Sequence, residues 1–169
     1  MPDVIPLSVG TDGNFWVKFV LAIADTTAPK LATETNAASS KDLTLYLTGD
    51  GWTPASDQAS APDTRLSALQ DFENPGKSSE SLSVTYVTNP DVALQDVARL
   101  TLLEGTTGFI LSRRAKSREI ALAVGDKVDI RPFRAGVQMD VPPESNSQFK
   151  ISQKLFITGP VRRLVAMTT

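Results

Sequence analysis

The clearest alternation of apolar and polar residues lies in SLSVTYVT (81–88), where Leu82, Val84 and Tyr86 share one face and Ser81, Ser83 and Thr85 the other. Such a period of two marks an antiparallel strand with one buried side. KVDIRPF (127–133) and QFKISQKLFIT (148–158) alternate in the same way. In the latter, Phe149, Ile151, Leu155 and Ile157 oppose Lys150, Ser152, Lys154 and Phe156. FWVKFVLAI (15–23) is aromatic, β-branched and unalternating, which predicts a strand covered on both faces. LTLYL (43–47), LQDFE (69–73), TGFILSRR (107–114) and VRRLVAM (161–167) complete the expected strands. TGDGWTPAS and NPGK (74–77) carry the glycines and prolines of turns, and VPPESNS (141–147) those of a loop.

One helix is expected, over 89–105. Pro90 suits its entrance and Gly105 its end, Asp91 and Asp96 fall toward its N-terminal half, and Val92, Asp96–Val97, Leu100 and Leu103 form its stripe, with Leu94 and Leu102 beside it. Residues 115–126 read as a short helical or looped link. The whole predicts one mainly β domain over 1–169, an antiparallel sandwich or partly closed barrel with one flanking α-helix. Two segments stand outside that body. Residues 1–14 form an arm holding Val4, Ile5, Leu7 and Val9 before the turn-rich GTDGN. Residues 24–42 are aperiodic, rich in Ala, Thr and Ser, and read as a long assembly loop.

Composition then removes most chemistry. The chain of 169 residues has neither cysteine nor histidine. Disulfides, thiolate nucleophiles and the commonest general base and metal ligand go with them. The pairs Asp71/Glu73 and Asp126/Asp129 have the spacing of solvated surface acids, and Ser112 with Lys116 lacks the S-x-x-K motif. No catalytic, metal or cofactor site is expected, and so no enzyme. No secretion signal or apolar stretch of membrane-spanning length is expected either. The formal net charge is −2, too small to draw nucleic acid. Its distribution is uneven. Residues 1–90 carry eleven acids against five bases, and residues 91–169 eight acids against twelve bases. That split is either chance or, equally, the mark of acidic and basic surfaces that meet between copies. RRAKSR (113–118) has no interleaved aromatics, so Arg113 and Arg114 are expected on an exposed basic edge facing acids of another subunit. Phe15, Trp16, Trp52 and Phe156 are further subunit-interface candidates, because large aromatics concentrate binding energy. For Trp16 an ordinary core position is the equal alternative.

Several segments, in order along nearly the whole chain, resemble the major tail (tail tube) proteins of long, non-contractile-tailed bacteriophages, the siphovirus type and especially those of actinobacteria. They are LSVGTDG (7–13), YLTGDGW (46–52), FENPGKSSESLSVTYV (72–87), LLEGTTGFILSRR (102–114), GDKVDI (125–130), VPPESNS (141–147) and KLFITGPV (154–161). The resemblance implies a homo-oligomer of hexameric rings whose sheets join into a barrel and whose rings stack into a tube. It implies a tape-measure protein and phage DNA in the lumen, without sequence-specific reading. Tail terminator and distal tail proteins would close the ends. The protein would be a virion component assembled in the bacterial host cytoplasm, without membrane insertion. Asp71 and Glu73 are the lumen candidates, since an acidic wall lets DNA slide. The alternatives are another tail component of the same fold, such as a terminator, or a β-sandwich that binds carbohydrate on a host surface.

Overall fold

The computed structural model describes residues 7–67 and 69–169. The part of the expected arm that holds Val4 and Ile5 lies outside the described residues. Eight strands follow in chain order: β1 (Phe15–Val20), β2 (Lys41–Asp42), β3 (Leu47–Asp63), β4 (Phe72–Val87), β5 (Thr107–Arg114), β6 (Lys127–Asp140), β7 (Lys150–Ile157) and β8 (Arg162–Ala166). They form one antiparallel sheet ordered β2-β1-β5-β6-β7-β4-β3, with β8 attached to β6. The sheet is mainly β architecture curled into a half-barrel.

The long strand β6 makes the curl. Its first part pairs β5 on one side and β8 on the other, through Val128 and Ile130. Its last part, from Phe133 to Asp140, pairs β7. β6 therefore leaves one layer and enters the second, with a register shift between Ala135 and Gln138 that bends it. Gly136 sits at that bend, where a Cβ would come within 2.8 Å of the Lys154 carbonyl.

Between the layers lies the main core, built from Val17, Phe19, Leu82, Val84, Tyr86, Ile110, Phe133, Ile151 and Leu155. These are the inward residues of their strands, as the period of two requires. The first layer is also covered on its outer face. There Trp16, Val20, Leu111, Val128, Ile130 and Met167 pack beneath Ile23, Leu31 and Leu122. Residues 24–42 are thus no free excursion. Leu31–Thr35 form a turn of π-helix, Thr35 is buried, and Leu31 N–H donates to the Thr168 carbonyl at 3.0 Å. Sparse apolar residues suffice there because Ile23 and Leu43 at its borders are buried. The stretch 43–47 is a turn leading into β3 and not a strand; Tyr46 N–H bonds the Leu43 carbonyl.

The helix α1 (Val97–Thr101) is shorter than 89–105, preceded by a 3-10 turn over Ala93–Gln95. Asp96 explains the break. Its side chain is fully buried and accepts from the Thr88 hydroxyl at 2.8 Å, the Asn89 N–H at 3.3 Å, and Arg99. Ala98 and Leu102 face the core, whereas Val92, Leu100 and Leu103 are exposed. Gln138 and Gln153 hold the end of the helix to the sheet. Gln153, fully buried, donates to the Leu102 and Gly136 carbonyls at 2.8 Å each and accepts from the Tyr86 hydroxyl at 2.9 Å. Gln138 donates to the Tyr86 hydroxyl and the Leu102 carbonyl. Burial pushes the Tyr86 hydroxyl well above its usual pKa, so it remains a neutral donor.

Candidate assembly surfaces

The excursion from this body is a hairpin. β3 and β4 pair from Leu47↔Tyr86 to Asp63↔Phe72, whereas β4 pairs β7 only from Ser81 to Val87. Beyond Ser81 the ribbon has two strands and extends about 25 Å, at roughly 3.4 Å per residue. Its residues are largely exposed on both faces. The segments that read as turns, TGDGWTPAS and NPGK, lie inside these strands. Their glycines serve bulges rather than turns. Gly51 sits in the register shift between Leu47 and Trp52, where a Cβ would lie 2.1 Å from the Thr85 carbonyl. A second shift between Gln58 and Ser60 brings Gly76 onto the backbone of Ala59. Pro54 and Pro62 are tolerated because β3 is the edge strand.

At the far end of the hairpin, Leu66 and Leu69 are fully exposed and Phe72 is half exposed. Asp71 precedes β4 and Glu73 lies within it, so they do not form the separate strand 69–73; both are exposed near this tip. At the opposite end, where β3 begins and β4 ends, an open groove of about 820 Å³ is lined by Leu45, Leu47, Leu94, Phe149, Asp50 and Lys150 among others. Leu45, Leu94 and Phe149 are strongly exposed there. Phe149 thus stands outside the core, contrary to its alternation. It precedes β7, and its backbone carbonyl is taken by Thr88 N–H at 3.1 Å.

The two layers treat their borders differently. On the first, β2 covers only Lys18 and Phe19 of β1. The rest is capped by Leu43 N–H on the Val17 carbonyl at 3.0 Å and by Val17 N–H on the Thr44 hydroxyl at 3.0 Å. On the second, β3 has no strand on its outer side, and β6 past Ala135 has no ladder partner on its β5 side among the described residues. The half β6–β7–β4–β3 therefore ends in two open edges. Among the described residues nothing covers its outer face at Ser83, Lys154 and Phe156, which are exposed. The Lys154 ammonium lies 5.2 Å from the Phe156 ring centroid.

The expected contact residues separate. Phe156 is half exposed. Trp52 and Phe15 are partly buried against each other, ring centroids 5.5 Å apart, with Arg131 over Trp52. Trp16 is a core residue whose indole N–H donates to Asp42 at 3.0 Å. Arg114 keeps exposed surface while bonding Asp129 at 3.0 Å. Arg113 does not lie on an exposed edge. It is buried beside Trp16 and donates to the Ser117, Ile120 and Ala121 carbonyls and to Asp126. The sequence pattern marks 107–114 as a strand but does not show that β5 points Arg113 inward and Arg114 outward. Lys116 bonds Asp126 at 2.7 Å, so no Ser112–Lys116 dyad exists. Burial opposes the Asp126 charge, but bonds from Lys116, Ala123 N–H and Arg113 outweigh it and hold the carboxyl below its usual range.

A two-layered, curled antiparallel sheet with a flanking helix, two open strand edges and a protruding hairpin defines a structural β building block. Among the described residues no group of acids is placed to hold a metal. The chain belongs to the phage tail tube protein family, whose model matches residues 1–169. The family is one of virion structural components. Among solved structures, the fold is similar to a chain of the anti-feeding prophage baseplate, determined by electron cryo-microscopy with six-fold symmetry. The TM-score is 0.56 at 12% identity, covering 95% of this chain and 97% of that one. No curated protein matches the sequence significantly.

Proposed function

We propose that this protein assembles into hexameric rings that stack into the tube of a long, non-contractile phage tail, the conduit for DNA ejection. The observation that carries the reading is the pair of open edges on the half β6–β7–β4–β3. Unpaired edges invite pairing, and joining the part of β3 between Pro54 and Pro62 of one copy to the end of β6 of the next pairs both. Such contacts are heterologous, so they close into rings; stacked ends give filaments. The hairpin tip and the groove at the other end of the same strands suit stacking. Leu66 and Leu69 of one ring bury against Leu45, Leu94 and Phe149 of the next. Phe156, Trp52, Phe15 and Arg114 lie near the joined layer, Trp16 and Arg113 behind it, and residues 24–42 present their outer surface to neighbours. Asp71 and Glu73 on the hairpin remain the lumen candidates, with phage DNA and a tape-measure protein inside. Terminator and distal tail proteins cap the ends. The role is structural and not enzymatic, and assembly takes place in the host cytoplasm.

Negative-stain microscopy of the purified protein, with and without a preformed tail tip as initiator, tests this. Tubes or stacked rings are expected. Single rings that never stack indicate a terminator, and a monomer under both conditions refutes the assignment.

A further inference from the structure

Glu80 and Ser56 form the first rung of the hairpin beyond β7. At that rung a side chain arrives from the other layer. Arg163 of β8 donates to the Ser56 hydroxyl at 3.1 Å and to Glu80 at 2.5 Å, while Ser56 donates to the second Glu80 oxygen at 2.8 Å. Burial disfavours the Glu80 charge, yet these partners hold its pKa below the usual range. The backbone beside Arg163 is held in an uncommon state. Leu164 has φ of 54°, in the left-handed region, and its N–H donates to Asp129 at 2.9 Å. The β6–β8 register shifts at the same place, between Val128 and Ile130. Asp129 is itself buried, held by Arg114 at 3.0 Å with Arg131 at 3.7 Å. A Leu at positive φ costs energy and persists where its surroundings over-determine it.

We propose that Arg163 is a positioning residue for assembly, fixing the angle at which the β3–β4 hairpin leaves the body. The inference rests on the stacking role given above. A two-stranded ribbon is flexible by itself. Past Ser81 it has no third strand among the described residues, and Arg163 ties its root to the opposite layer. With an arm of about 25 Å, a 10° swing moves the tip about 4 Å, nearly the spacing between strands. The tip leucines would then miss their groove. The strained Leu164 is the device that turns the Arg163 side chain toward the hairpin.

The chain lacks cysteine, so two introduced cysteines label cleanly. Spin labels at S60C on the hairpin and T33C on the body report the angle in the isolated chain by double electron–electron resonance. Arg163→Glu, which faces Glu80 with a like charge, should broaden or shift the distance distribution. It should also raise the concentration needed for assembly about three- to tenfold, as loss of a solvent-accessible ion pair allows. The swap Arg163→Glu with Glu80→Arg should restore both, which a merely lost contact would not do. An unchanged distance distribution in Arg163→Glu with thermal melting as in the parent overturns the proposal. A changed distribution in Arg163→Glu, together with a parent chain that forms no tubes, leaves the clamp standing and overturns the assembly reading.

Discussion

The double substitution Leu66→Ser, Leu69→Ser separates folding from assembly. Both side chains are fully exposed in the single chain, so their removal costs no core packing. Surface changes of this sort alter stability by less than about 0.5 kcal/mol. At this chain length that moves the melting midpoint by about 2 °C or less. In the stack the balance reverses. A leucine taken from full exposure to full burial contributes about 1.5–3 kcal/mol. Two of them give roughly 3–6 kcal/mol per hairpin, reduced by incomplete burial and by the ordering of the ribbon. Each 1.4 kcal/mol is about tenfold in an equilibrium constant, so the contact should weaken by about 10²–10⁴. Sedimentation velocity and negative-stain microscopy over a concentration series read the assembly, and thermal unfolding reads the fold. The expected variant melts like the parent and stays as rings or monomers at concentrations where the parent forms tubes. Tubes at the parent's concentration would refute the docking of the tip. A melting midpoint lowered by more than about 5 °C would show that the leucines serve their own chain's fold, and would refute the premise from the other side.

Gln153→Leu strands the Gly136 carbonyl and the Tyr86 hydroxyl, at about 1–3 kcal/mol each, so denaturant unfolding should show a loss of roughly 3 kcal/mol. Adding Tyr86→Phe should cost less than the sum of the two single changes, since the stranded hydroxyl is gone; full additivity argues against the network. Asp126 titrates in the fold below its usual 3.8, so it stabilises the fold at neutral pH and loses that contribution as pH falls through and below 3.8. Asp126→Asn should therefore lower stability at pH 7 and flatten its decline in acid, measured by thermal unfolding between pH 7 and pH 3. Deleting residues 27–40 should unfold or strongly destabilise the chain, because Leu31 and Thr35 pack on the first layer. A deletion variant with parent-like melting and circular dichroism contradicts that packing.

Local periodicity was enough for the mainly β class, for β1, β5, β7 and β8 within a few residues, and for the inward set Leu82, Val84 and Tyr86. Those features depend on side chains a residue or two apart, which a sequence states directly. The absence of histidine and cysteine was equally direct and narrowed the chemistry before any fold was known. The family resemblance added the assembly context. What sequence could not decide was set by partners distant along the chain. Glycines and prolines in 49–62 and 74–77 read as turns, yet cross-strand bonds carry them through as an edge ribbon with bulges. Residues 24–42 lack periodicity, yet they cover the outer face of the first layer because their borders and the C-terminal Thr168 hold them there. Asp96 reads as an ordinary helical acid, yet Thr88 and Asn89, brought to it by the fold, hold it at the break between the 3-10 turn and α1. Arg113 and Arg114 differ by one residue, which in a strand means opposite faces. Only the packing of Trp16 and the 115–126 loop on one of those faces made Arg113 a core residue and left Arg114 at the surface.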